Sequence, residues 1–352
     1  MKVLITGIAG FAGSTIAHEL LDEHSGFVVM GMDNFSRKGC EVNVSGLRNK
    51  EIGLIRGDIR ARSDVEDLPH VDWVIDCAAN PSVLAGLQGQ SSSRQVMEHN
   101  LMGTINLLEY CKKHKAGFIL LSTSRVYSAK NLANLAVNTC GDSFELEESR
   151  TKGISKQGIT ERFPTNAPIS LYGASKLASE TLLMEYAESF GFPAWINRCG
   201  VLGGAGQFGK ADQGILSYWI HSFCEKKPLK YIGFNGSGLQ VRDALHPKDL
   251  VPLLVLQMQN PERDAPKVIN LGGGLQNSIS LKQLSTWCEN RFGPNEIVSS
   301  TEQRPMDAPW IVMDSSLAQD AWNWKPQTQL ENILNQIAVH AENNPNWLSI
   351  TN

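Results

Sequence analysis

Short apolar runs alternate with helical spacing through the first half of the chain. "KVLITG" (2–7), "GFVVMGMD" (26–33), "VDWVIDCAA" (71–79), "GFILLSTS" (117–124) and "PAWINRCG" (193–200) read as buried strands. Between them, "GSTIAHELLDEH", "NLMGTINLLEYCKKH" and "YGASKLASETLLMEYAESFG" repeat their apolar residues at helical intervals. This alternation predicts an α/β fold, a doubly wound parallel sheet covered on both faces. Two polar stretches break the rhythm. Residues 128–168 are too long for a simple connection, and residues 203–214, "GGAGQFGKADQG", are glycine-rich and mobile-looking. Both follow strands, at the end of the sheet where open α/β folds bind ligands. After about residue 200 the pattern turns irregular, with Trp- and Pro-containing segments. It predicts a first domain over residues 1–200, rejoined around 241–272, and a smaller second domain over 201–352 with a core of Trp310, Trp322 and Trp324.

Composition narrows the class without choosing a function. The 352 residues are 42% hydrophobic and 19% charged, an ordinary globular balance. With 32 basic and 36 acidic residues the net charge is −4, which gives no global pull toward nucleic acid. Any anionic ligand must therefore be held locally. Seven scattered cysteines without a C-x-x-C pair fit reduced thiols in a cytoplasmic protein. The chain passes from "MKVLITG" directly into a strand-like run, without a signal peptide, and no apolar run reaches the roughly 18 residues that span a bilayer. A membrane partner is not expected. The eight histidines lack paired ligand spacing, so no metal site is expected either.

The first chemical signal is "VLITGIAGFAGSTIAHELL", which sets Gly7, Gly10 and Gly13 between a strand and an amphipathic helix, with Phe11 and Ala12 inside the turn. Small residues let the backbone approach a pyrophosphate, whose charge the helix N-terminus stabilises. Glycine triplets also mark plain loops; here the flanking strand and helix, and Asp33 at the end of the next strand, point to a dinucleotide. Asp33 would accept hydrogen bonds from the adenosine ribose and repel a 2′-phosphate, favouring NAD over NADP. Arg37 pulls the other way, since a nearby cation accommodates that phosphate; it shares the loop "DNFSRKG" with Asn34 and Ser36. "RGDIR" follows the third strand, and its Asp58, beside Ile59, is a candidate acceptor for the adenine amine. The second signal is "APISLYGASKLASETLL": one helical turn carries Tyr172 to Lys176, so a phenol and an ammonium share one face.

Taken in order, "TGIAGFAG", "GDI", "CAAN", the Asn100-x-x-G-T run, "STSRVY", "YGASK" and "NGSGLQVRDALHPKDL" (235–250) resemble the extended short-chain dehydrogenase/reductase family of NAD-dependent nucleotide-sugar epimerases and dehydratases. The resemblance spans nearly the whole chain. It implies that Ala78, Ala79 and Asn100 join the cofactor site. Tyr172 would take a proton from a sugar hydroxyl while NAD takes the hydride, and Lys176 would hold the nicotinamide ribose. A free phenol has a pKa of about 10, and Lys176 with the positive nicotinamide would lower it. Thr123 matches the family residue that orients the substrate hydroxyl. Related dehydratases carry an Asp-Glu pair after that threonine to eliminate water; Ser124 and Arg125 stand there in this chain, and an arginine cannot act as that base.

The same resemblance supplies a substrate handle. Arg242 and Arg304 match family arginines for the nucleotide diphosphate and its ribose, and Asp307 a ribose acceptor. Asn80, Ser82, Gln207 and Gln213 are candidate contacts to sugar or base. "DNFSRKG" and "RCGVLGGAGQFGKADQG" (198–214), with Gln207-Phe208 and Asp212-Gln213-Gly214, resemble the CDP-tyvelose/CDP-paratose 2-epimerase group more than the UDP-galactose 4-epimerases. Cys77 replaces a histidine frequent in relatives and reads as a small buried strand residue. The implied activity is inversion of a nucleoside-diphosphate sugar by transient oxidation, at C2 of a CDP-hexose, in a homodimer built on the Tyr172 helix. A 4-epimerase, a reductase and a catalytically silent NAD-binding regulator stay open as alternatives.

Overall fold

The computed structural model describes residues 1–87, 92–147, 151–211 and 213–351; Asp212, placed above in the substrate loop, lies outside the described residues. Seven strands form one parallel sheet: Lys2–Thr6 (β1), Val28–Asp33 (β2), Gly53–Arg56 (β3), Trp73–Asp76 (β4), Gly117–Thr123 (β5), Ala194–Cys199 (β6) and Val268–Leu271 (β7). Their order is β7-β6-β5-β4-β1-β2-β3, so the winding reverses between β1 and β4. The crevice at such a reversal, beyond the carboxyl ends of the strands, is where this architecture holds ligands.

Period-two alternation explains why the strands are apolar throughout. Val3, Ile5, Ile75, Ile119, Leu121 and Trp195 enter one core, while Leu4, Val74, Phe118, Leu120 and Ile196 enter the other. The first core is covered by Phe11–Glu23 (α1), by Val251–Gln259 and by Trp322 and Trp324. The second is covered by Gly103–His114 (α2) and Leu171–Phe190 (α3). Helix α3 starts at Ser170, whose side chain accepts from the Gly173 amide at 3.0 Å, and stops at Gly191, which adopts φ +64°.

Beyond β6 a second lobe packs Ile215–Cys224 (α4), Leu281–Phe292 (α5) and Leu330–Asn343 (α6) around Leu216, Trp219, Phe223, Leu284 and Ile337. Val241–Leu245 is the central strand of its small sheet. The polar stretch after β5 is not an open loop: it folds into the hairpins Val137–Cys140/Ser143–Leu146 and Ile154–Ser155/Gly158–Ile159. Ile159 exchanges backbone hydrogen bonds with Val312 and Asp314 at 2.8 and 2.9 Å, which ties the insertion to the far end of the chain. Leu132, Phe163, Trp310 and Met313 fill the core between them.

The tryptophans are therefore distributed differently from the expectation that all three fill the smaller domain. Trp310 sits under the insertion. Trp322 packs edge-on to Trp195 with ring centres 5.0 Å apart, and the Trp324 indole donates to Asp249 O at 2.7 Å. The short helix Ser316–Trp322 lies against β7, which brings both rings onto the sheet.

Candidate active site

A cavity of about 400 Å³ opens at the carboxyl ends of the strands. Gly7, Gly10, Phe11, Ala12 and Gly13 form its floor, with Asp33, Asn34, Ser36, Arg37, Asp58, Ile59, Ala78 and Ala79 along one side. Gly7 and Gly13 cannot be replaced without collision. Gly7 has φ +62°, and a Cβ there would lie 2.9 Å from Ala78 Cα; a Cβ on Gly13 would lie 2.4 Å from Gly7 O. This is a cradle shaped by the absence of side chains, the form a pyrophosphate needs. A dinucleotide fits it.

Asp33 holds the cradle as well as facing it: Oδ2 accepts from the Ala9 amide at 3.0 Å and Oδ1 from Phe35 at 2.8 Å. Burial pushes its carboxyl up, against those two amides. Asp58 is less available than its sequence position implied. Arg60 bonds it at 2.6 Å and Asn34 at 3.0 Å, and these bonds, Arg60's first, keep its carboxyl well below the usual range. Arg37 donates to Phe208 O and to Gln213 Oε1, both at 3.3 Å.

The opposite end of the cavity is lined by Thr123, Ser124, Arg125 and Tyr172. Thr123 ends β5 and Tyr172 lies in the first turn of α3, so strand and helix bring both residues to the same wall of the cavity. Burial pushes the phenol up to about 12, only partly opposed by the Thr123 hydroxyl and the Arg125 charge. The expected lowering by Lys176 is not seen in the protein alone. Lys176 is 2% exposed and does not line the cavity; its charge acts on the neighbouring thiols of Cys77 and Cys199. Cys77 comes just after β4 and lines the cavity instead of filling the strand interior, and burial raises its thiol, which disfavours a nucleophile.

Three predicted residues have structural partners in place of the cavity. Asn100, 2% exposed, accepts from the Asn80 amide at 2.7 Å and donates to Ser175 at 3.0 Å, pinning the loop after β4 to α3. Asn80 and Ser82 shape that loop: Asn80 Oδ1 accepts from the Ser82 amide at 3.4 Å, and Ser82 Oγ from Leu84 at 3.2 Å.

Arg242, Arg304 and Asp307 lie outside this cavity, next to Arg125. Arg242 donates to Asp307 Oδ1 at 2.9 Å, and Arg304 and Asp307 line an adjoining cavity of about 380 Å³ with Phe234 and Met306. Burial pushes Arg125 down to about 10, helped by the Arg242 and Arg304 charges. Three guanidiniums face one carboxylate, which leaves local positive charge suited to a diphosphate despite the net charge of −4. Gln207 and Gln213 line the first cavity, and Gln207 Oε1 is buried without a hydrogen-bond partner. Arg60, His99, Cys199 and Phe208 also line it and were missed as site residues. Of these only Phe208, quoted next to Gln207, had a local signal.

Three comparisons bear on this geometry. Residues 3–272 match the model of the NAD dependent epimerase/dehydratase family. The chain is 30% identical over 338 residues to the CDP-paratose 2-epimerase of Salmonella typhi, covering 93% of this chain and 95% of that one. It superimposes with a TM-score of 0.78 and 26% identity on UDP-glucuronic acid 4-epimerase from Bacillus cereus in complex with UDP-glucuronic acid and NAD, over 97% and 99% of the two chains. UDP-glucose 4-epimerase from Bifidobacterium longum, 23% identical with a TM-score of 0.79 over 99% and 100% of the chains, shares the fold.

Proposed function

The chain belongs to the NAD-dependent epimerase/dehydratase family, and from that premise we propose that it epimerises a nucleoside-diphosphate sugar by transient oxidation. The single observation that carries this is that Tyr172 and Thr123 line one cavity together, between the glycine cradle and the arginine cluster. Bound NAD supplies a hydride acceptor that returns the hydride at the end of the cycle. Gly7 to Gly13, Asp33 and the residues beside them hold the dinucleotide. Arg125, Arg242 and Arg304 clamp the diphosphate while the oxidised sugar turns over. Thr123 orients the reacting hydroxyl, and Tyr172 takes its proton and gives it back.

Ser124 and Arg125 favour epimerisation over dehydration, because neither provides a carboxylate base for eliminating water. The favoured carbon is C2 of a CDP-hexose, supported by the similarity to the paratose 2-epimerase. The second reading, a 4-epimerase, is supported by the similarity to the Bacillus cereus protein. A smaller substrate-binding domain over 201–352, a homodimer built on α3 and a cytoplasmic location belong to the same proposal.

Proton NMR of the purified protein with CDP-, UDP- and GDP-hexoses in deuterated water, without added cofactor, tests it. Inversion at one carbon with the ring hydrogen retained is the expected result and identifies the carbon. Inversion with deuterium incorporated would replace transient oxidation with proton abstraction beside a carbonyl. Turnover only with added NADH would make the protein a reductase. No turnover of any sugar, with full biological activity in a Tyr172→Phe variant, would make it a regulator.

A further inference from the structure

The glycine-rich loop after β6 has two anchors that the proposed chemistry does not use. From the cofactor side, Arg37 donates to Phe208 O and Gln213 Oε1, both at 3.3 Å, and its guanidinium lies 5.7 Å from the Phe208 ring centre. From the other side comes Trp347, near the end of the described chain. Its indole donates to Gln207 O at 3.0 Å, and its ring stacks on Phe208 with centres 5.8 Å apart. Trp347 is 4% exposed and shares a buried cluster with Phe208, Leu348, Cys40 and Ala9 of the glycine turn. His340 stands edge-on to it at 4.6 Å and fixes the ring from behind.

The loop held this way is part of the cavity. Gln207, Phe208, Gln213 and Gly214 line the same space as Gly7 to Gly13 and Asp33 to Arg37. A dinucleotide lying on the cradle therefore meets Gln207, Phe208, Gln213 and Gly214 on its way out. An enzyme that must return its own hydride loses the oxidised sugar's partner whenever the cofactor escapes in mid-cycle, so slow release has a chemical purpose here.

We propose that Arg37 and Trp347 are positioning residues that clamp Gln207, Phe208 and Gln213 at the wall of the dinucleotide cavity and thereby set the rate at which the dinucleotide leaves. This rests on the NAD-dependent reading above. It also gives Arg37 a different task from the one its sequence position implied: its guanidinium holds a loop, where a 2′-phosphate acceptor was the alternative.

The test loads full-length protein with NADH and follows loss of its fluorescence after mixing with excess NAD. Trp347→Ala is expected to release NADH at least about tenfold faster than the unaltered chain. Trp347→Phe keeps the stacked ring but loses the bond to Gln207 O, and its rate should fall between the two. Gln213→Ala removes one Arg37 acceptor and should also speed release, which keeps the proposal testable if Trp347→Ala does not fold. Folded variants that release NADH at the unaltered rate would overturn the clamp while leaving the cofactor site standing. Failure of the unaltered protein to bind NADH would overturn both.

Discussion

Burial of Tyr172 pushes its phenol up to about 12, so at neutral pH the protein alone keeps the proton that the reaction must move. A positive nicotinamide next to the ring is the charge that would bring it down. Loading with NAD should lower the phenol's titration midpoint in ultraviolet difference spectra by about one unit or more; an unmoved midpoint would deny Tyr172 its role as base. Tyr172→Phe should cut kcat by about a hundredfold to ten-thousandfold. Asp243 offers a second residue-level test. Its carboxyl is 1% exposed; Oδ2 accepts from Gly274 and Met313 at 3.2 and 3.3 Å, and Oδ1 has no hydrogen-bond partner. Burial raises it from 3.8 to about 6. A raised carboxyl supports the fold while it is protonated, and that support is lost as pH rises through the folded-state value, roughly 3 kcal/mol at neutral pH. Asp243→Asn should therefore melt higher than the unaltered chain at about pH 8 and match it near pH 4; equal melting at both would remove Asp243 from the pH dependence. That Tyr172 and the glycines stand at the cavity was legible because it follows from short spacings, whereas Lys176, expected to act on the phenol, does not line the cavity. The phenol's raised pKa was not legible, because burial is set by neighbours distant in sequence.

At the scale of elements, the proposed catalysis would depend on how closely α3 approaches the turn after β5. A Cβ on Gly173 would lie 2.1 Å from Arg125 O, so helix and turn meet without a side chain between them. That contact sets Tyr172 on the cavity wall with Thr123. Gly173→Ala must push the helix outward, at a stability cost of about 1–3 kcal/mol. The expected signature is a drop in kcat far larger than the fall in melting temperature accounts for; parallel, modest changes in both would mean that the approach is not catalytic. The insertion teaches a related lesson. Its polar composition read as an interruption, and its apolar residues, Leu132, Ile159 and Phe163 among them, gave no periodic signal, because their partners Trp310 and Met313 are supplied from the other end of the chain.

At the scale of the molecule, Arg125 lines the first cavity and donates to Met306 O of the second at 3.5 Å, but the two are built from different parts. Hydrogen exchange should separate them: NAD should slow amides in 7–13 and 33–37, and a nucleoside diphosphate those in 129–135 and 304–311. Protection of all four segments by either ligand alone would mean that the lobes respond as one body. Late in the chain, Val268–Leu271 returns to the sheet as β7. That the chain carries tryptophans with it was not legible, because nothing local in "AWNWKP" tells which core it joins. This return has a consequence for synthesis. A ribosome that has made only the first 200 residues has delivered the cradle and the catalytic pair, but not β7, Val251–Gln259, Trp322 or Trp324. Trp195 and the part of this face beyond α1 then face water, and a sheet lacking an edge strand and much of its cover does not hold together. A 1–200 fragment should show no cooperative melt and no NADH binding. The nascent chain thus completes this face of the sheet only once Trp322 and Trp324 have left the exit tunnel.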